Sequence, residues 1–102
     1  MKEIEFLMER IHEEIEDAHV YAEKAVLCKE KDPELAGTYL KISEEELNHM
    51  SMLHRNVIRL IAEFRREKGE PPADMMAIYE YLHKCAIRNA ETVGVLQGMY
   101  RK

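Results

Sequence analysis

Two short breaks constrain the fold of this chain most, because they divide it into three long segments of helical periodicity. The first break pairs Asp32, a residue type that caps helix N-termini, with Pro33, which suits a first helical turn. The second, Gly69-Glu70-Pro71-Pro72, places a glycine where a helix can end and prolines that cannot continue it. We therefore predict a single all-α domain over residues 1–102, with helices at about 2–30, 33–68 and 73–100.

Each segment has an apolar stripe whose members recur at steps of three and four residues. Since short linkers make consecutive helices antiparallel neighbours, we expect a long helical hairpin with a third helix beside it. The stripes are Ile4, Leu7, Ile11, Glu14, Ala18, Tyr21, Ala25 and Cys28; Leu35, Tyr39, Ile42, Glu46, His49, Leu53, Val57, Leu60 and Phe64; and Met75, Tyr79, Leu82, Ala86, Ala90 and Val93.

Composition narrows the class of protein further. With 46% hydrophobic and 34% charged residues, few glycines and no tryptophan, the chain has the composition of a helical bundle. A net charge of −5 without a basic stripe argues against a nucleic-acid partner. No apolar run approaches the length of a membrane span, and the charged start is unlike a signal peptide. Cys28 and Cys85 are expected to be buried, reduced thiols, and we expect a cytoplasmic protein.

Three polar residues interrupt the stripes: Glu14, Glu46 and His49. If the first two helices fold back near residue 31 or 32, facing residues have numbers that sum to about 63, which places Glu14 beside His49. Burying charged groups together is costly unless something compensates them. A metal ion would do so, since Glu-x-x-His on a helix is a bundle-core metal motif. A metal-free polar network that sets register and oligomeric state is the alternative.

These three residues are half of the ligand set of a carboxylate-bridged di-iron centre, which takes four carboxylates and two histidines in a four-helix bundle. A twofold dimer would supply the other half. We therefore predict that dimerisation completes a four-helix bundle. Hard carboxylates with imidazole suit iron or manganese, with zinc as a further alternative.

Two segments carry a family resemblance: Glu13-Glu-Ile-Glu-Asp-Ala-His-Val-Tyr-Ala-Glu-Lys-Ala25 and Glu45-Glu46-Leu-Asn-His49. They resemble the ferritin-like superfamily, most closely the encapsulated ferritins and more distantly the rubrerythrins. The resemblance implies a ferroxidase that oxidises Fe(II) at a di-iron centre between subunits, with Glu14, Glu46 and His49 as ligands and catalytic residues. It also implies a homodimer or larger homo-oligomer and an encapsulating protein shell, a nanocompartment.

The resemblance assigns supporting roles as well. Acidic residues at Glu13 and Glu16 would attract cations toward the site. Tyr21 and Tyr39 lie one heptad from Glu14 and Glu46, and core tyrosines need partners such as ligand carboxylates. A rubrerythrin-like, peroxide-reducing protein is an alternative function, although the C-x-x-C pairs of a rubrerythrin are absent from the sequence.

A second Glu-x-x-His, Glu80-Tyr-Leu-His83, is expected to lie near the height of residue 58 with no partner carboxylate. We interpret His83 as a histidine at the core edge beside a solvated Glu80. Glu91 lies one residue off its stripe, and solvent exposure is expected. A surface stripe that usually is solvated consists of His12, Glu16, His19 and Glu23.

Overall fold

Three α-helices account for nearly all of the chain in the computed structural model, which describes residues 2–102. They are α1 (Lys2–Cys28), α2 (Pro33–Lys68) and α3 (Ala73–Arg101), and no strand occurs in this range. The molecule is a rod of 55 × 18 × 18 Å. The all-α prediction and both breaks are confirmed, although α1 ends two residues earlier than predicted. No helix between residues 2 and 102 is long and apolar enough to cross a membrane.

The ends of α2 follow the predicted capping chemistry. The backbone N–H of Leu35 donates to Asp32 Oδ1 at 3.1 Å, and Pro33 occupies the first turn. At the other end, Gly69 has φ 85°, a left-handed conformation that glycine adopts without strain, and its N–H donates to the Arg65 carbonyl at 3.1 Å. The local sequence therefore fixes where the hairpin turns and where the third helix begins.

The core of α1 is rotated relative to the predicted stripe. Its buried members are Ile4, Met8, Ile11, Ile15, Ala18, Ala22 and Ala25. Leu7, Glu14 and Tyr21 are only half-buried, because α3 packs mainly on α1 and draws the buried face toward itself. These three residues thus lie at the edge of the α1–α2 contact.

Other predicted stripe positions are also wrong. His49 is exposed, as are Leu35 and Leu82, because the core runs through Ala36, Ser43, Val57 and Ile61 of α2. The two cysteines are free thiols as predicted, but both are half-buried and not buried.

A buried polar contact joins the three helices. The Ser43 hydroxyl donates to the Ala18 carbonyl at 2.6 Å, and the Gln97 amide donates to the Ser43 hydroxyl at 3.1 Å. Ser43 is fully buried and Gln97 is 8% exposed, so these bonds satisfy groups that would otherwise be costly to bury. This contact fixes the axial position of the C-terminal half of α3 against the hairpin.

Candidate metal site

The structure brings Glu14, Glu46 and His49 together at one height of the hairpin. One ligand atom from each lies within 4.8 Å of the other two. His49 Nδ1 is 3.5 Å from Glu14 Oε2 and 3.9 Å from Glu46 Oε2. The sum rule for facing residues therefore predicted the Glu14–His49 contact correctly, and one helical turn brings Glu46 to the same point.

One carboxylate oxygen in this cluster lacks a hydrogen-bond partner. Glu14 Oε2 is buried, and no residue in the described range donates a hydrogen bond to it. Its closest cationic candidate is the His49 ring, 3.5 Å away, and Arg10 Nη2 lies 3.6 Å from the other oxygen, Oε1. Both contacts are longer than good charge-assisted hydrogen bonds. A buried acceptor in this state is destabilising unless a proton or a cation reaches it.

The two carboxyl groups repel each other when both are ionised. The pKa of Glu46 is raised to about 7, chiefly because its protonated form can share the proton with Glu14. Burial and the charges of Glu14 and Asp17 raise it further, and the His49 ring opposes them. The hydrogen bond between Glu46 and Glu14 exists only while Glu46 is protonated. With both groups ionised, two acceptors face each other and Glu14 Oε2 has no donor.

The donor set fits a hard or borderline divalent cation. Two carboxylates and one imidazole suit iron and manganese, and zinc through its broader affinity. A cation between them would occupy the vacant acceptor of Glu14 and replace the proton of Glu46. The side chains differ in exposure: 13% for Glu14, 21% for Glu46 and 53% for His49. An ion held here would therefore be covered on the carboxylate side and open on the imidazole side.

The open side is a hollow of about 330 Å³ next to Glu14 and His49. Its lining comes from α1 and α2 alone and includes the apolar residues Phe6, Met52 and Leu53. Phe6 is 56% and Met52 48% exposed, so this face presents large apolar side chains around a charged centre. The predicted di-iron ligand set is thus incomplete in one chain, and the missing half would have to approach over this face.

Of the four residues predicted from sequence to support the site, Tyr21 and Tyr39 are half-buried, whereas Glu13 and Glu16 are exposed. Tyr21 and Tyr39 pack on each other with ring centroids 5.8 Å apart. Within the described residues 2–102, neither hydroxyl forms a hydrogen bond with Glu14 or Glu46. Glu13 is exposed and pairs with Arg10. Glu16 is exposed, and its Oε1 lies 3.0 Å from His12 Nε2. Their roles toward a metal stay predictions.

A second histidine cluster lies on the other side of α2, and sequence reasoning found only part of it. His83 is half-buried and Glu80 exposed, as expected, but the neighbour of His83 is His54, one turn from the predicted height. Its Nδ1 is 3.1 Å from His54 Nε2. His54 was missed because the prediction looked only for a carboxylate partner. Glu91 is exposed, as expected, and lines the cleft beside this pair.

Comparisons with protein families, with curated proteins and with solved structures find no match for the chain.

Proposed function

We propose that this chain is a di-iron carboxylate protein that oxidises Fe(II), with Glu14, Glu46 and His49 as its metal ligands. The observation that carries the proposal is the buried Oε2 of Glu14, an acceptor without a donor, inside a cluster of two carboxylates and one imidazole. A cation satisfies this oxygen, removes the repulsion between the carboxylates and uses all three side chains at once. The ferritin-like resemblance of the same residues supports iron over other cations.

The residues of this chain have distinct parts in that function. Glu14 offers a carboxylate whose buried Oε2 lacks a hydrogen-bond partner among residues 2–102. Glu46 has to lose a proton before it binds a cation, because its pKa is raised to about 7. The exposed ring of His49 provides the third ligand on the solvent side. Fe(II) is the substrate: each ion gives up one electron to dioxygen or peroxide and leaves as Fe(III).

A di-iron centre would need a second copy of the chain to complete its set of ligands. One chain offers three ligands, whereas a carboxylate-bridged pair of irons takes four carboxylates and two imidazoles. A twofold dimer across the hollow supplies the second set, and the exposed Phe6 and Met52 would lose contact with water there. The site and the dimer interface are then one surface, which completes the predicted four-helix bundle.

A metal-free oligomerisation module is the second candidate function. The observation in its favour is that a protonated Glu46 can share its proton with Glu14, which satisfies both groups without an ion. The two functions differ in what the cluster does with Fe(II): the module neither binds nor oxidises it.

Fe(II) oxidation by matched variants tests the proposal. Glu46→Ala and His49→Ala are expected to abolish oxidation above the buffer rate, followed as the near-ultraviolet absorbance of Fe(III). Glu80→Ala and His83→Ala remove the second Glu-x-x-His and should keep most of the activity, because those side chains lie on the α3 side of the molecule. If Glu46→Ala oxidises iron like the wild type while folded by circular dichroism, the di-iron proposal is wrong.

A further inference from the structure

Two imidazole rings face each other between α2 and α3, away from the first cluster. His54 Nε2 and His83 Nδ1 are 3.1 Å apart, and the rings are nearly parallel, with an interplanar angle of 8° and centroids 4.7 Å apart. His83 also stacks on Tyr79, with centroids 5.8 Å apart and an interplanar angle of 16°. Both rings are half-buried, so packing restrains them without sealing them from solvent.

We propose that His54 and His83 form a second metal site, which binds one divalent ion of the zinc and copper class through His54 Nε2 and His83 Nδ1. Metal–nitrogen bonds of about 2.0–2.1 Å, at angles between a right angle and the tetrahedral value, separate two ligand nitrogens by about 2.8–3.4 Å. The observed 3.1 Å lies in this range. Rotation about χ2, a soft torsion for histidine, has to tilt the two rings out of parallel so that both lone pairs point to one ion.

The surroundings provide room for a bound ion. The pair lines an open cleft of about 620 Å³, enough for the water molecules or small ligands that complete the coordination of a two-histidine site. The charged residues on the cleft wall are Arg55, which opposes a cation, and Glu91, which favours one.

This site is independent of the first cluster. His54 follows His49 by five residues, so the two side chains leave α2 in directions about 140° apart. The first cluster opens to a hollow lined by α1 and α2, whereas the His54–His83 cleft is lined by α3 as well. The donor chemistry also differs: two nitrogens favour zinc, copper or nickel over the hard cations that carboxylates prefer.

A histidine-restricted variant tests the assignment. The chain has five histidines, and replacing His12, His19 and His49 by Gln leaves the pair as its only imidazoles. This variant is expected to bind one Cu²⁺ per chain, with a hyperfine pattern from two nitrogens in electron paramagnetic resonance. Adding His83→Gln should reduce the pattern to one nitrogen and weaken Zn²⁺ binding in calorimetry by about tenfold or more, since even outer-sphere partners are worth that much.

Glu80→Gln in the same background is the matched control, because it changes the exposed neighbour of His83 and keeps both rings. It should leave the two-nitrogen pattern and Zn²⁺ affinity unchanged. A two-nitrogen pattern that persists after His83→Gln, or an equal loss of Zn²⁺ affinity with Glu80→Gln, would overturn the proposal. So would a folded variant that binds no Cu²⁺, which would leave the pair as a hydrogen bond alone.

A measurement in the otherwise natural sequence covers the case in which the restricted variant does not fold. Zn²⁺ held between α2 and α3 raises the melting temperature, because the unfolded chain lacks the paired rings. The rise should be smaller in His83→Gln than in His12→Gln, which removes an exposed histidine. Equal rises in the two variants would show that zinc does not use His83.

Discussion

Two histidine clusters lie on the same helix, α2, and they differ in their balance of hydrogen-bond donors and acceptors. Around His49 there are two carboxylates and one ring, so acceptors exceed donors and one buried oxygen has no partner. Around His54 there is a second ring and a tyrosine, and one of the two ring nitrogens at the contact can donate its hydrogen to the other. We infer a cation at the first cluster from this excess of buried acceptors, because a histidine alone does not indicate one.

The two clusters also differ in how complete they are within one chain. The side chains of His54 and His83 meet across two helices that a single chain already packs together. The ring of His49 is 53% exposed, and the hollow beside it is bordered by Phe6 and Met52, with no third helix over it. We therefore expect metal bound by the first cluster to depend on a second copy and metal bound by the second to be independent of it.

The largest expected effect is on the mass of the particle. Protein loaded with Fe²⁺ should be at least a dimer in light scattering at micromolar concentration, and a chelator should shift it toward monomer, because metal binds only the assembled state. In His49→Ala, which has lost a ligand of the first cluster, the metal-dependent increase should disappear. His83→Ala should keep it. A stable, iron-loaded monomer of the wild type would contradict the shared site.

The position of the first cluster along the hairpin could be predicted because it depends on where the chain turns and on the rise per residue of the two helices. Asp32-Pro33 sets the turn, and equal rise in both helices then pairs Glu14 with His49, now seen at 3.5 Å. How each residue is rotated about its helix axis could not be predicted. Periodicity alone is about equally consistent with Glu14 and with Ile15 at the centre of the stripe of α1. Which of the two is buried depends on where α3 packs.

The second cluster was harder to predict for a related reason. His83 was expected near residue 58, and its neighbour proved to be His54, one turn away. The second linker contains two prolines and extended backbone, so it does not fix the height of α3 as tightly as the short first turn fixes α2. The contact that sets that height is Gln97 with Ser43, a buried polar pair that the apolar stripe does not include.

An intermediate effect is expected on the stability of the metal-free chain. The folded chain holds a proton on Glu46 up to about pH 7, whereas an unfolded one releases it near its ordinary value of 4.5. Stability in chelator should therefore fall as pH rises from 4.5 to 7. Glu46→Gln, whose neutral amide can donate to Glu14, should exceed the wild type above pH 7 by on the order of 1–3 kcal/mol, since one pKa unit is about 1.4 kcal/mol.

Urea unfolding at pH 5 and pH 8 measures this difference, which should be small at pH 5. Glu13→Gln is the matched control: Glu13 is exposed and its partner Arg10 is only half-buried, so the change should be within about 0.5 kcal/mol at both pH values. If Glu46→Gln is clearly less stable than the wild type at pH 8, the two ionised carboxylates do not oppose folding.

The smallest expected effect is on stability at the second cluster, where we expect a substitution of His83 to cost little. His83→Phe keeps an aromatic ring to stack on Tyr79 and removes the partner of His54 Nε2. Because that nitrogen borders an open cleft, water can replace the lost hydrogen bond, and the cost in chelator should be below about 1 kcal/mol by urea unfolding. His83→Ala, which also removes the stacking surface, should cost more than His83→Phe. A loss of several kcal/mol in His83→Phe would mean that the ring pair is a buried structural bond, and its cleft would not be the accessible metal site that we infer.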